Sequence, residues 1–141
     1  SKTAWEGTGV KIAHAALYAR DLDAMKHFYT TFFGAAVNGG YHNPATGLRT
    51  YFLTFEDGSR LEMMTRPGME DIEKPLYRTG YTHLAFQPGG REAVNGLTAR
   101  LRDAGYEVVS GPRVTGDGYY ESCALDPEGN QIEIVAAEDM I

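Results

Sequence analysis

A single cysteine, Cys123, occurs in 141 residues, so no disulfide can close within the chain. That usage fits a reducing compartment, and the cytoplasm is the expected location. No stretch is apolar over the length a bilayer crossing needs. The opening Ser1-Lys2-Thr3-Ala4-Trp5-Glu6-Gly7 lacks the apolar run of a secretory leader. A membrane is therefore not an expected partner. Basic clusters are missing too. Thirteen Lys and Arg are scattered among 19 Asp and Glu, for a formal net charge of −6. A phosphate-binding surface needs clustered cations, so nucleic acid is excluded as a partner. What the chain does have is 43% apolar residues, enough to bury a real core in one domain or two small halves.

The chain is written twice. Lys11-Ile12-Ala13-His14-Ala15-Ala16-Leu17 and Gly80-Tyr81-Thr82-His83-Leu84-Ala85-Phe86 are both short, mostly apolar segments with a histidine inside, the pattern of a half-buried strand. A helix follows each. Asp21 or Asp23 can cap Leu22 to Phe33, where Met25, Phe28, Tyr29 and Phe32 keep helical spacing and Gly34 suits the stop. In the second copy, Arg91 to Ala104 carries Val94, Leu97 and Leu101 on one face, and Gly105 ends it. Each copy closes with a turn and a strand: Asp57-Gly58 before Leu61-Glu62-Met63, and Glu128-Gly129 before Ile132-Glu133-Ile134. From position 14 to 83 is 69 residues, and from 62 to 133 is 71, a drift that one loop insertion explains. Two further strands fit in each copy, near Leu48 to Phe55 and Tyr119 to Leu125, the first preceded by a loop over Tyr41 to Gly47.

The expected architecture is α+β, with two βαβββ modules in a pseudo-twofold arrangement forming a cupped mixed sheet. Residues 1–9 form an N-terminal arm docked by Trp5. Module one is 10–65, the linker 66–79, module two 80–137, and 138–141 a C-terminal tail.

Alternation along a strand sends neighbouring side chains to opposite faces. Leu61 and Met63 oppose Glu62, and Ile132 and Ile134 oppose Glu133; Ile12, His14, Ala16 and Tyr18 share one face. The apolar faces belong on the helices. If the other faces meet about the pseudo-twofold, His14, Glu62, His83 and Glu133 gather as two imidazoles and two carboxylates. That donor set suits a divalent Zn, Ni, Co, Mn or Fe ion, whose charge the carboxylates would cancel. Taken singly, a strand histidine is most often a hydrogen-bonded structural residue and a strand glutamate is most often solvated. The recurrence at matched places in both copies is what favours ligands. His27 and His42 have no counterpart and read as surface residues, with His42 in a loop at the cavity mouth. Cys123 reads as core, and so does the aromatic cluster Phe28, Tyr29, Phe32 and Phe33.

The sequence resembles the vicinal oxygen chelate superfamily, the glyoxalase, bleomycin-resistance and extradiol dioxygenase group, over residues 10 to 137. Asp21-Leu22-Asp23 with Phe28-Tyr29 and Phe33-Gly34 is similar to its first helix. Asp126-Pro127-Glu128-Gly129-Asn130 before Ile132-Glu133 is similar to its closing motif. Extradiol and fosfomycin-resistance members lack a ligand at the place of Glu62, and epimerases usually carry Gln there. His14, Glu62, His83 and Glu133 are most like bacterial glyoxalase I, lactoylglutathione lyase. The resemblance implies one divalent metal per site and a small carbonyl substrate, with glutathione or another thiol as cosubstrate. It also implies proton transfer beside a carbonyl, with Glu133 as the base and Glu62 as the second choice. A homodimer follows, with His14 and Glu62 of one chain facing His83 and Glu133 of the other. An epimerase and a non-catalytic antibiotic-binding protein are the alternatives. Where glyoxalase I usually has Arg four residues after the first histidine, this chain has Tyr18; Arg66 and Arg113 lie near other thiol-contacting places.

Overall fold

A computed structural model describes residues 6–137. The chain runs β1 (Ala15–Tyr18), α1 (Leu22–Phe33), β2 (Ala36–Val37), β3 (Tyr41–His42), β4 (Arg49–Thr54), β5 (Arg60–Thr65), β6 (His83–Phe86), α2 (Arg91–Asp103), β7 (Val108–Val114), β8 (Tyr120–Leu125) and β9 (Gln131–Val135). β2 and β3 both pair antiparallel with β4, on either side of Gly39-Gly40, and act as one interrupted strand. Each half is therefore βαβββ. The sheets run β1-β5-β4-β2 and β6-β9-β8-β7. In both, the first strand lies parallel to the last, with Ala16 beside Glu62 and Ala85 beside Glu133. The closing turns repeat as well: the Gly58 N–H donates to the Phe55 carbonyl at 2.9 Å, and that of Gly129 to Asp126 at 3.0 Å.

Local chemistry sets the ends of α1. The Asp21 carboxylate accepts the Ala24 N–H at 3.0 Å, satisfying a free donor of the first turn. Gly34 stops the helix in the left-handed region, at φ 67°, a backbone conformation that residues with a β-carbon rarely adopt, and its N–H returns to the Tyr29 carbonyl. α2 ends one residue earlier than expected, at Asp103. Two expectations need correction. The ladder of the first strand begins at Ala15 rather than Lys11, since its pairing with β5 starts at Ala15 opposite Leu61. Tyr41 and His42, read as loop, make a short ladder with Thr50 and Arg49. Residues 66–79 have no helix or strand, but they are tied down. Arg20 pairs with Asp71, Lys74 Nζ donates to the Glu128 carbonyl at 3.0 Å, and Gln131 Nε2 donates to Leu76 at 2.9 Å. Trp5, most of the arm and the tail 138–141 lie outside the described residues.

One core crosses both modules. Met25, Phe28 and Tyr29 of α1 and Val94, Leu97 and Leu101 of α2 are buried with Leu53, Leu61 and Met63 of one sheet and Ala124, Ile132 and Ile134 of the other. Rings link the halves: Phe28 meets Tyr106 at 4.8 Å, and Phe33 and Phe55 meet Phe86 at 4.5 and 5.3 Å. Burying a large apolar side chain contributes roughly 1.5–3 kcal/mol relative to exposure, so the junction is a main source of stability. A polar tie reinforces it. The buried Tyr29 hydroxyl donates to Asp126 Oδ2 at 2.9 Å, and the Glu128 carboxylate accepts the Arg20 and Asp21 N–H groups, each at 2.7 Å. The closing loop of module two thus sits on the start of α1. No helix among the described residues is long and apolar enough to cross a membrane.

Candidate metal centre in two halves

Because the helix-facing sides of both sheets share that core, the other faces point away from it. Leu61 and Met63 are buried, whereas Glu62 lies on the open face together with the exposed His14, Ala16 and Tyr18. His14 Nε2 stands 3.7 Å from Glu62 Oε1, with the two side chains 40% and 20% exposed. Phe52, opposite Glu62 in register, meets the His14 ring edge-on at 5.4 Å, and the Arg60 guanidinium lies 3.9 Å over the Phe52 ring.

Module two repeats the arrangement. Ile132 and Ile134 are buried, and Glu133 faces outward. His83 Nε2 stands 3.2 Å from Glu133 Oε2, while its Nδ1 lies 3.0 Å from Thr82 Oγ1. A hydroxyl on Nδ1 fixes the ring and leaves Nε2 toward the carboxylate.

Two donors held about 2.1 Å from one ion at tetrahedral or octahedral angles are roughly 3.0–3.5 Å apart. The His–Glu separations in both halves are close to that span. Each half supplies one imidazole nitrogen and one carboxylate oxygen, so the donor chemistry fits half the ligand set of a first-row divalent ion. The four residues do not meet within one chain: the structure joins His14 to Glu62 and His83 to Glu133, and leaves the two pairs apart. Among the described residues, no three His, Cys, Asp or Glu side chains are grouped closely enough to hold a metal ion.

The remaining candidates are distributed unevenly. Tyr18 shares the open face with His14 and is 53% exposed. Arg66 is exposed just past the end of β5. Arg113, also exposed, stands opposite Glu121 in the β7–β8 ladder. His27 and His42 are both exposed. Cys123, expected in the core, is a correction. It lies half-buried on the open face directly opposite Glu133, and its Sγ donates to Gln131 Oε1 at 3.7 Å. Burial raises its thiol pKa, and the Glu133 and Glu121 carboxylates add to that, so the thiolate is disfavoured.

Glu121 is the residue that sequence reasoning missed. It shares the open face with Cys123 and Glu133, one diagonal step from Glu133 across the β8–β9 ladder. Burial first, then the Glu133 hydrogen bond and charge, push its carboxyl up to about 7, against a smaller opposing pull from His83. The available signal was the alternation of Glu121, Cys123 and Leu125 against the buried Ser122 and Ala124.

A cleft of about 900 Å³ runs from the segment before β1 to β6, lined by His14, Phe33, Phe55, Arg60, Leu84 and Phe86 among others. Its size is that of a small-molecule site.

Comparison with known proteins adds the following. Residues 11–134 match the family described as the glyoxalase/bleomycin resistance protein/dioxygenase superfamily. The Pseudomonas aeruginosa protein PA2024 is 35% identical over 127 residues, covering 86% of this chain and 85% of that protein. The trypanothione-dependent glyoxalase I of Leishmania major superposes with a TM-score of 0.75 at 21% identity, covering 94% of this chain and 90% of that one. A fosfomycin resistance protein of Listeria monocytogenes, FosX, in a mutant form complexed with Mn(II) and a dihydroxypropylphosphonic acid, superposes with a TM-score of 0.68 at 22% identity. There the coverage is 90% and 92%.

Proposed function

Because the chain belongs to the glyoxalase/bleomycin resistance protein/dioxygenase superfamily, we propose that it is a metal-dependent lyase or isomerase of the glyoxalase I type, working as a homodimer. Each site is built from His14 and Glu62 of one protomer with the partner subunit's His83 and the partner subunit's Glu133. The observation that carries this reading is the pair of matched His–Glu half-sites, each on an outward sheet face and each short of a full ligand set. A twofold axis brings unlike halves together twice, completing two sites per dimer. The Mn(II) complex of FosX supports a metal in this fold.

A divalent ion bound there supplies an electrophile where negative charge develops on substrate oxygens. The chain's own groups do the rest. Glu133 accepts the proton from carbon beside a carbonyl and returns it, with Glu62 the second choice as base. Phe52, opposite Glu62 in the ladder, packs edge-on against the His14 ring and gives the half-site an apolar neighbour. Tyr18 offers the substrate one phenolic hydrogen bond where an arginine would offer a charged fork, so the thiol differs from glutathione or is held elsewhere, by Arg66 or Arg113. Dependence on trypanothione in the Leishmania relative supports a choice of thiol within this fold.

Elemental analysis of protein purified without chelators tests the metal, with about one divalent ion per chain expected. Assays of methylglyoxal with glutathione and a panel of other thiols, across Ni, Co, Zn and Mn, test the reaction. Turnover with at least one thiol is expected. Full metal occupancy with no turnover for any thiol would remove the lyase assignment.

A further inference from the structure

The two modules can be compared position by position, and one matched place is engaged in only one of them. Two residues before the outward glutamate of each closing strand, on the same strand face, stand Arg60 in module one and Gln131 in module two. Gln131 is held: its Nε2 donates to the Leu76 carbonyl at 2.9 Å, and its Oε1 accepts from Cys123 Sγ at 3.7 Å. Arg60 is exposed, and its guanidinium lies 3.9 Å over the Phe52 ring, which meets the His14 ring edge-on. Among the described residues no carboxylate pairs with Arg60 and no acceptor takes its hydrogen bonds. Glu56 and Asp57 lie in the same hairpin, but the Asp57 carboxylate is turned to the Ser59 N–H at 3.0 Å and the Ser59 Oγ at 2.7 Å. Stacking on a ring fixes the plane of a guanidinium and leaves its N–H edge open as a fork. The cleft of about 900 Å³ is lined by Arg60 and His14 together with the apolar Phe33, Phe55, Leu84 and Phe86.

We infer that Arg60 is a specificity-determining residue, whose guanidinium holds the carboxylate of a small acid that carries an aryl or branched-alkyl group into this cleft. A planar fork matches a carboxylate with two parallel hydrogen bonds, which a phenol or an ammonium cannot do. The apolar walls take the rest of the molecule and strengthen the ion pair by keeping water from one side of it. Glu56 and Asp57 line the cleft as well and repel a second anionic group, so the ligand is a monoacid. Arg60 and Glu62 are two strand steps apart, roughly 7 Å. A short acid anchored at Arg60 therefore reaches the His14–Glu62 half-site with a carbonyl a few bonds away. On the function proposed above, the substrate is then a carbonyl compound, or its thiol adduct, that bears one carboxylate. That identification rests on the metal reading; the binding of an acid at Arg60 does not.

The test compares two probes of the same shape, 3-phenylpropionate and its neutral amide, titrated into the chelator-treated full chain and followed by protein amide chemical shifts. Three variants accompany the unmodified protein. Arg60→Gln removes the charge, Arg60→Lys keeps a charge without the fork, and Arg102→Gln removes an equal charge from the last turn of α2. Circular dichroism confirms that each is folded. The unmodified protein should bind the acid about 5–10-fold more tightly than the amide, with shifts at Phe33 and Phe86. The preference should fall to near one in Arg60→Gln, be partly kept in Arg60→Lys and be unchanged in Arg102→Gln. Equal affinity for the two probes in the unmodified protein overturns the inference, and so does a preference that survives in Arg60→Gln. An equal loss in Arg102→Gln overturns it in favour of bulk charge. A second arm uses metal-loaded protein and methylglyoxal with 3-mercaptopropionate or the neutral 2-mercaptoethanol. Arg60→Gln should raise KM for the first alone; an equal rise for both overturns the assignment of specificity. If neither thiol turns over while the acid preference depends on Arg60, the lyase reading falls and the acid site stands.

Discussion

Tyr29→Phe removes one oxygen from the junction between the modules and nothing else. The ring stays packed on Phe28 at 4.9 Å and Phe86 at 6.0 Å, so the apolar contribution is kept. The lost bond is a buried hydroxyl donating to a carboxylate at 2.9 Å, a class worth about 1.5–3 kcal/mol. Asp126 is not left bare. It still accepts the Glu128 N–H at 2.9 Å, the Asn130 N–H at 3.0 Å and Asn130 Nδ2 at 2.9 Å. The expected loss is therefore at the low end, about 1.5–2 kcal/mol, which for a chain of this size lowers Tm by roughly 5–7 °C. Urea denaturation gives the free energy and calorimetry the Tm. Asp126→Ala should cost more, because it also releases the loop that leads into β9 and Glu133. A Tyr29→Phe loss below about 0.5 kcal/mol, the range of ordinary surface changes, would show that this bond does not tie the modules.

Other perturbations have equally definite outcomes. A β-carbon at Gly111, where φ is +78°, would lie 2.5 Å from the Glu121 carbonyl and 3.0 Å from Ser122 Cα. Gly111→Ala should destabilise by about 2–4 kcal/mol in urea melts, and a change near zero would contradict the crowding. Thr98→Val strands the buried Ser122 hydroxyl that Thr98 Oγ1 meets at 2.7 Å, for a loss of about 1–3 kcal/mol; an unchanged midpoint would refute it. In chelator-treated protein, Glu121 makes stability fall as pH rises. Its carboxyl is lifted, chiefly by burial, from an ordinary 4.5 to about 7, so the folded chain keeps a proton that the unfolded chain has released. That contribution is complete below the unfolded value and is lost as pH passes through the folded one. Glu121→Gln should flatten this part of the profile, and identical pH profiles for both proteins would count against it.

Much of the fold was legible because its signals are local. Asp21 and Gly34 bound α1 by capping chemistry alone, and the turn glycines four residues before Glu62 and Glu133 mark equivalent hairpins. The pairing of His14 with Glu62 and of His83 with Glu133 follows from the strand order, in which each first strand lies against its last. What was hidden depends on register. Cys123 reads as a small apolar residue until the ladder puts it opposite Glu133. Glu121 has no partner in the first copy, so a search for repeated residues passes over it. The start of β1 was overextended because Lys11 to Ala13 alternate like a strand but find no neighbour to pair with.

Mixing two defective proteins tests the shared site most directly. One carries His14→Ala with Glu62→Gln, and the other His83→Ala with Glu133→Gln. Each alone should bind almost no divalent metal. If sites form between protomers, a mixed dimer contains one site with all four ligands intact and one with none. Random exchange then restores about a quarter of the unmodified metal content and activity. If all four ligands come from one chain, mixing restores nothing, and the account of two half-sites completed by a partner is wrong.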